Sequence, residues 1–260
     1  MVKIGAPWLK SLPMPRSRKS MSAPSFRPLY DQIKILLTQS LIAGEWRPGE
    51  SIPSEIDLAG RFGVSQGTVR KAIDELAGEN ILVRKQGKGT FVATHSEERS
   101  QFRFLRVLAD SGEKEYPDSA IIDCKRGRAN AEIARAIEVR AAAPVFIVKR
   151  VLTFAGRPMI FDAIVVSAVL FKGLTLPRLK EFQGSVYSFF ETQYGLRMIR
   201  AEERLTALQA DAEAALHLKV AEGAPLLCVD RIAYTYGDKP VEWRRGLCNT
   251  EGYSYRNELA

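Results

Sequence analysis

Cysteine and histidine are scarce in this sequence of 260 residues, which has three cysteines and two histidines. Cys124, Cys228 and Cys248 are odd in number and far apart, and none belongs to a Cys-x-x-Cys pair. This usage argues against a disulfide framework and against a zinc site, and it suits a reducing cytoplasm. With only His95 and His217 available, a metal cluster is not expected either. We therefore expect a cytoplasmic protein without metal or cofactor.

Long apolar runs are also lacking. No run approaches the roughly 18 residues of a membrane-spanning helix, so no contact with a membrane is predicted. Residues 1–25 contain basic residues and prolines but no apolar signal core, so they are not a secretory signal. Two interpretations stay open for them: a flexible basic extension, or a native chain that starts at Met21.

What is present is apolar and basic. Apolar residues make up 46% of the chain, enough for one large core or two ordinary ones. The formal charge of +8 favours a polyanionic partner, although many soluble proteins are mildly basic. Residues 27–95 carry nine Lys/Arg and eight Asp/Glu, so the position of the charges says more than their sum.

A short amphipathic helix is predicted for residues 65–80. Its apolar side chains recur at helical spacing and form one face, made of Val69, Ala72, Ile73 and Leu76. Ser65 is a good N-cap, and Asn80 suits a left-handed terminator. The opposite face opens with polar side chains that can form hydrogen bonds.

Two further helices precede it. Ser54-Glu55-Ile56-Asp57 predicts a capping box, and the helix that it opens ends before Gly63. A longer helix is predicted from Pro28 to Ile42. Two short helices around a tight glycine turn fit a helix-turn-helix.

A basic hairpin follows. The apolar residues 81–83 and the β-prone residues 90–92 flank a tip that is rich in glycine and basic residues, Arg84-Lys85-Gln86-Gly87-Lys88-Gly89. Three helices and a hairpin in this order make a winged helix.

These segments resemble the GntR family of bacterial transcription regulators over about 65 residues. The resemblance rests on seven blocks in a fixed order: Pro28-Leu29-Tyr30, Pro48-Gly49, Ile52-Pro53-Ser54-Glu55, Leu58-Ala59, Val64-Ser65, Thr68-Val69-Arg70-Lys71-Ala72 and Gly87-Lys88-Gly89-Thr90-Phe91-Val92. It implies that residues 26–93 form a winged helix-turn-helix that binds double-stranded DNA.

A polar stretch, 94–101, predicts a linker to a second domain. Strands are predicted at 102–107 and 120–125. Residues 131–150 then match residues 212–231 at eight identical positions, and each copy predicts helix, strand, hairpin and strand.

Between the copies, the sequence predicts a helix from Ser185 to Tyr194 and a strand over 196–206. Many hairpin-connected strands with few helices indicate an α+β domain on an antiparallel sheet.

The second half is similar to the UTRA ligand-binding domain of HutC-type GntR regulators over residues 102–257. The similarity rests on both Ala-Pro…Arg blocks, Ser185-Val186-Tyr187, Arg200-Ala201-Glu202-Glu203 and Pro240-Val241-Glu242. It implies a chorismate-lyase-like fold, an effector pocket and a dimer. Effector contacts are implied at Arg150, Asp162, Ser185, Tyr187 and Glu242. For Ser185 a plain helix cap is the alternative, for Arg150 an ion pair within the sheet. Arg231, the repeat counterpart of Arg150, is not expected to be a second ligand.

DNA contacts are predicted at two places. On the third helix, Gln66 and Arg70 lie one turn apart and suit adenine and guanine edges, and Gly67 lets the backbone approach a phosphate. Ser65 and Thr68 suit phosphates at the helix N-terminus, and Ser54 is a further contact. For Arg70 a surface ion pair with Asp74 is the alternative.

On the wing, Arg84 and Lys85 suit phosphates, while Lys88 after Gly87 suits the minor groove. An ordinary solvated hairpin is the alternative for Lys88. The family more often places arginine where Gln66 and Ile56 stand, so the usual operator bases are in doubt for this chain.

Together these features predict a homodimeric, effector-responsive regulator of a palindromic operator, and they favour a repressor over an activator. Two alternatives remain: a chorismate-lyase-like enzyme fused to a DNA-binding module, and an architectural DNA binder. Neither an acid–base pair nor a nucleophile–histidine set supports the enzyme. An architectural role leaves the second domain unexplained.

Overall fold

The computed structural model describes residues 27–94, 104–112 and 115–257. The predicted extension 1–25, most of the predicted linker 94–101 and the first two residues of the strand predicted at 102–107 lie outside the described residues.

The N-terminal unit is a three-helix bundle with a hairpin. Its elements are α1 (Leu29–Ile42), α2 (Glu55–Phe62), α3 (Gln66–Gly78), β1 (Leu82–Lys85) and β2 (Gly89–Val92). The predicted apolar face of α3 is buried against α1 and α2. Ser54 caps α2 in a full capping box, and Gly63 ends it in the left-handed conformation. The winged helix-turn-helix predicted from the sequence is therefore confirmed.

The C-terminal unit is built on a six-stranded antiparallel sheet, in which Asp118–Arg128 (β4) is followed by β5 (Pro144–Phe154), β6 (Arg157–Ser167), β9 (Lys239–Cys248), β8 (Pro225–Thr235) and β7 (Arg200–Gln209). Its elements are β3 (Val107–Ala109), β4 (Asp118–Arg128), α4 (Ala131–Ala136), β5 (Pro144–Phe154), β6 (Arg157–Ser167), α5 (Leu176–Glu181), α6 (Val186–Tyr194), β7 (Arg200–Gln209), α7 (Ala212–Leu218), β8 (Pro225–Thr235), β9 (Lys239–Cys248) and β10 (Tyr253–Tyr255). The α+β prediction is confirmed.

The sequence repeat explains the symmetry of this sheet. One copy supplies α4, β5 and β6, and the other supplies α7, β8 and β9, so β6 and β9 meet at the centre. Asn130 and Asp211 cap the two equivalent helices in the same way. Arg150 and Arg231 thus occupy equivalent positions on strands β5 and β8.

Two predicted strands begin later than expected. The described residues 104–106 are not in a strand, and β3 begins at Val107, where it pairs with β10. β7 begins at Arg200, because Met198 and Ile199 are buried in apolar clusters before the ladder starts. Helix α5 was not predicted.

The two units are packed against each other. Ile199 and Tyr236 of the C-terminal unit belong to the same apolar cluster as the buried faces of α1 and α3. Arg197 Nη1 donates a hydrogen bond of 2.8 Å to the carbonyl oxygen of Asn80, at the end of α3. The chain after α3 is therefore fixed to the second unit.

Candidate nucleic-acid interface and ligand cavity

The predicted DNA contacts on α3 share one open surface. Ser65, Gln66, Gly67 and Arg70 are exposed, and Thr68 is half-buried. Ser65 Oγ accepts a hydrogen bond of 3.2 Å from the Thr68 amide, so it acts as the N-cap. Because the first amides of a helix point outward with the positive end of its dipole, this end of α3 suits an anion.

A residue that sequence reasoning assigned only to a capping box organises this surface. Glu55 Oε2 accepts 2.9 Å from Arg70 Nε and 3.2 Å from Gln66 Nε2. Its other oxygen accepts 2.9 Å from Arg84 Nη1. Burial opposes ionisation of Glu55, but these donors outweigh it and hold the pKa of the carboxyl below its usual value. One carboxylate of α2 thus holds three predicted DNA contacts.

Asp74, the alternative ion-pair partner of Arg70, does not pair with it in the structure. Asp74 pairs instead with Arg84, whose Nη2 lies 2.8 Å from Asp74 Oδ1. Arg70 is 58% exposed in its side chain and pairs with Glu55. The i,i+4 pair with Asp74, which the sequence offered as the alternative for Arg70, is therefore not formed, because α2 packs beside α3 and offers a nearer acid.

On the wing, the basic side chains differ in freedom. Arg84 is held between Glu55 and Asp74. Lys85 lies 5.0 Å over the ring of Phe91. Lys88 is exposed in the turn after Gly87, whose φ of 68° favours glycine.

The last predicted DNA contact, Ser54, lies at the start of α2 and not on the wing. It is engaged in its own capping box, with Oγ 2.6 Å from Asp57 Oδ2.

The second candidate site is a cavity of about 440 Å³ on the face of the sheet that carries α6. Arg150, Ser185 and Tyr187, three of the five implied effector contacts, line it. Asp162 and Glu242 do not line it but lie directly behind these side chains. The structure therefore groups all five residues around one cavity.

A row of charged side chains crosses the sheet behind this cavity. Arg150 faces Asp162 in register, with Nε 2.7 Å from Oδ2, and Arg244 Nε lies 2.8 Å from Asp162 Oδ1. Burial opposes ionisation of Asp162, but Arg244 and Arg150 outweigh it and lower the pKa of the carboxyl. Arg150 thus forms the ion pair within the sheet that sequence reasoning offered as the alternative, and it also lines the cavity.

Arg231 and Arg244 are the cavity residues that sequence reasoning missed. They face each other in register on β8 and β9, and both line the cavity with Arg150. That Arg231 is not a second ligand stays a prediction, but the repeat brings both copies of the arginine to one face of one sheet, where both line the cavity. The eight-position repeat was the signal that could have found it.

Tyr187 and Glu242 form a buried polar pair at the wall of the cavity. Tyr187 Oη donates 2.8 Å to Glu242 Oε1, and Glu242 Oε2 has no hydrogen-bond partner. Burial raises the pKa of Glu242, even though Arg244 and the Tyr187 hydrogen bond act against it. Burial also raises the pKa of Tyr187 to about 12, so its hydroxyl stays a donor.

Ser185 is the N-cap of α6, the alternative that the sequence offered for it, since its Oγ accepts a hydrogen bond of 3.0 Å from the Ser188 amide. The residue before it, Gly184, has a φ of +148°, and a Cβ there would lie 2.9 Å from the Phe182 ring. The loop before α6 therefore needs glycine to bring Ser185 to the cavity. Leu152 gives the cavity an apolar wall beside Arg150.

The described residues contain neither a metal site nor a membrane-spanning helix. They contain no group of three or more His, Cys, Asp or Glu side chains placed to hold a metal ion. No helix within the described ranges is long and apolar enough to cross a membrane. His217 stacks on Phe161 with 4.7 Å between ring centroids, away from the cavity residues, and His95 lies outside the described residues.

Comparison with known proteins identifies both units. Residues 29–92 match the model of the bacterial regulatory proteins of the gntR family, and residues 113–254 match the UTRA domain. The repressor NagR of Bacillus subtilis is 28% identical over 229 residues, which cover 88% of this chain and 93% of that protein. The Histidine utilization repressor of Klebsiella aerogenes is 37% identical over 94 residues, which cover 36% of this chain and 38% of that protein.

Solved structures agree. The ligand-binding domain of a GntR-family regulator from Bordetella bronchiseptica is 44% identical, with a TM-score of 0.60, and covers 62% of this chain and 99% of that chain. YydK from Bacillus subtilis shares the fold over 90% of this chain and 100% of that chain, with 19% identity and a TM-score of 0.53. Because the family consists of transcription regulators, the alternative of a chorismate-lyase-like enzyme is rejected. This chain belongs to the GntR family of bacterial transcription regulators and carries the UTRA domain of its HutC subfamily.

Proposed function

We propose that the protein is a repressor that binds a palindromic operator as a homodimer and releases it when a small-molecule effector occupies the cavity beside Arg150. The observation that carries this proposal is the presence of two polar sites in one chain, an open helix-turn-helix surface and a cavity lined by arginines. Relatives named as repressors, among them NagR, support repression rather than activation of transcription.

Residues 26–93 are the DNA-binding domain in this proposal. Gln66 and Arg70 read base edges, and Ser65, Thr68 and the amide of Gly67 hold phosphates. On the wing, Lys88 enters the minor groove and Lys85 holds a phosphate. Ser54 and Arg84 act mainly through their contacts inside the protein, since Ser54 caps α2 and Arg84 is held by two carboxylates, whereas Arg70 is held by one.

Residues 102–257 are the effector-binding and dimerisation domain in this proposal. A two-fold dimer requires an operator with matching symmetry. Light scattering on a fragment 102–260 is expected to give a dimer. A monomeric fragment would place the dimer interface elsewhere.

The proposed effector is a small carboxylate, such as an amino-acid-like catabolite. Three arginines line or reach the cavity, while Asp162 and Glu203 neutralise two of them. The raised pKa of Glu242 keeps that acid from removing the remaining charge. One anionic group is therefore favoured, and the Ser185 end of α6 offers further amide donors.

A phosphate ester fits less well. Sugar-phosphate sensors of the subfamily carry a second arginine two residues after the equivalent of Arg150, on the same strand face. Here that position is Leu152, which offers apolar contact only.

Two experiments test the proposal. Sequencing of protein-bound fragments from random DNA is expected to return a palindrome, and an unstructured mixture of sequences would contradict it. Thermal-shift screening is expected to show stabilisation by carboxylates. Strong stabilisation by glucosamine-6-phosphate, with no response to carboxylates, would reject the effector class.

A further inference from the structure

Strand β7 is an open edge of the six-stranded sheet. It stands last in the strand order, and among the described residues it pairs with β8 alone. This pairing runs from Arg200 to Gln209 without a bulge, and the strand contains no proline. A long and regular edge presents a row of amide and carbonyl groups that another strand can join.

The opposite edge of the sheet, β4, is protected. A register shift between Ile121 and Asp123 interrupts its pairing with β5. Helix α5 packs against this strand, and Lys125, Arg126 and Arg128 are exposed along it. Bulges, covering helices and basic side chains are devices that keep an edge strand from pairing with another chain. Of the two edges, β7 is therefore the one that can accept a partner strand.

The charged side chains of β7 do not protect it in the same way. All four form ion pairs inside the protein, and these are the pairs Arg200–Asp238, Arg200–Glu202, Glu203–Arg231 and Arg204–Asp230. The second half of the strand, residues 205–209, carries no charge. Leu205, at the start of this half, is 44% exposed. The edge thus offers an uncharged stretch with an exposed leucine near its middle.

A second copy of this chain fits this edge, because the residue order of β7 is self-complementary. Where two copies of one strand pair antiparallel about a two-fold axis, one residue lies opposite its own copy. An axis at Glu203 or Arg204 would place like charges opposite each other, which destabilises a strand pair. An axis at Leu205 instead opposes two leucines, pairs residues 201–209 and places Arg204 opposite Thr206.

The same axis places both DNA-binding units on one side of the joined sheets. Glu203 is in register with Arg231, which lines the effector cavity, so Glu203 and Leu205 lie on the cavity face of the sheet. Helix α1 borders this face, since its Lys34 and Ile42 line a cleft of about 1480 Å³ together with Glu203 and Leu205. A two-fold axis perpendicular to the sheet keeps these faces together, as two half-sites on one duplex require.

We propose that β7 is the dimer interface: the β7 strands of two copies pair antiparallel, with Leu205 at the two-fold axis, and join the two six-stranded sheets into one. This rests on the proposed function, which requires a dimer but names no surface for it. It assigns one strand edge to the interface and one residue to its centre.

Cross-linking of Leu205→Cys in the full chain tests the geometry. Residues opposite each other in neighbouring antiparallel strands have Cα atoms about 4.5–5.5 Å apart, within the range of a disulfide. Mild oxidation is expected to convert most of this variant into a covalent dimer. That dimer is expected to bind the palindrome recovered by wild-type selection with the affinity of the reduced form, because the bond lies on the axis of the functional dimer.

Val169→Cys is the matched control. Val169 is 76% exposed, but it follows β6, and β9 and β8 lie between β6 and β7. It is expected to give no more covalent dimer than wild type, whose own cysteines are buried or half-buried.

Leu205→Lys tests the energetics of the same contact. It removes the leucine pair and places two ammonium groups opposite each other at the axis. The dimer dissociation constant, measured by analytical ultracentrifugation, is therefore expected to rise about 10-fold. Because Leu205 is exposed in the single chain, the variant is expected to fold like wild type. Val169→Lys adds the same charge at another exposed site and is expected to leave the dissociation constant unchanged.

The proposal is overturned by a wild-type dimer in which Leu205→Cys cross-links no more than Val169→Cys, or in which Leu205→Lys leaves the dissociation constant unchanged. A cross-linked dimer that no longer binds the palindrome also overturns it, because the bond then traps a chance encounter. Failure of the proposed function looks different: the wild-type chain is then a monomer, with or without DNA, before any variant is compared.

Discussion

Arg70 on α3 donates its Nε hydrogen bond to Glu55 Oε2 on α2, across 2.9 Å. The side chain proposed to read a base is thus held by an acid of the preceding helix. The side chain of Glu55 is itself only 13% exposed. Free arginines on a DNA-binding surface bind any phosphate, whereas a paired arginine keeps one direction. We therefore expect the pair to favour specificity over raw affinity.

Exchange of Arg70 tests the reading role. Arg70→Ala is expected to relax preference at one operator position and to cost about 1–3 kcal/mol on the operator. Competition binding with single-base operator variants measures this. Retention of the full preference at every position would reject Arg70 as a base reader.

Glu55→Gln is expected to raise the affinity for random DNA, whereas Arg70→Ala lowers the affinity for the operator. Loss of the carboxylate frees Arg70 and leaves Arg84 with Asp74 alone, so non-specific affinity is expected to rise while the ratio of operator to random affinity falls. Titration of both DNAs at several salt concentrations measures it. Glu50→Gln is the control, because Glu50 accepts from the Arg47 amide outside this cluster. A ratio that Glu55→Gln leaves unchanged would show that the acid does not control how Arg70 and Arg84 meet DNA.

Lys88 is expected to contribute charge rather than sequence reading. Lys88→Ala should weaken operator and random DNA alike and lower the slope of log K against log salt by about one unit. The reason is that its exposed ammonium at the tip of the wing releases about one counterion on binding. A selective loss on the operator would instead indicate base recognition in the minor groove.

Glu242→Gln is expected to stabilise the protein, increasingly so as pH rises above 4.5. The pKa of Glu242 is raised from 4.5 by burial, so ionisation costs folding free energy that is absent at lower pH and is fully felt above the folded pKa. Glutamine can still accept from Tyr187 but cannot ionise. Urea unfolding across this pH range measures the difference. A gain that does not depend on pH would show that the pKa of Glu242 is the same in the folded and unfolded states.

Asp162→Asn is expected to destabilise by about 3–5 kcal/mol, since two buried arginines lose their carboxylate. The pKa of Asp162 is lowered from 3.8, so its contribution is present above 3.8 and disappears as pH falls through the lower folded value. The gap between wild type and variant therefore closes in acid. Asp238→Asn is the control, because its pair with Arg200 is 79% exposed on the acid side and should change stability by less than about 1 kcal/mol.

Local sequence signals were enough to predict the winged helix. The cap at Ser54, the turn at Gly63 and the apolar spacing of α3 depend on neighbours within a few residues, so they could be read from the chain. The five effector positions came from family resemblance, and the structure gathers them at one cavity. Their roles stay proposals.

The sequence by itself determined the three helices and the hairpin of the winged helix, and the repeated arginine, because hydrogen bonding and periodicity act over short spans. Tertiary structure alone decided which charges meet. Glu55 and Arg84 are 29 residues apart, and Arg231 and Phe104 are 127 residues apart. Such pairs depend on how strands register and helices pack, and many acids in the chain could have served each arginine. Only the folded sheet, with β6 beside β9, brings Arg150, Arg231 and Arg244 to one face.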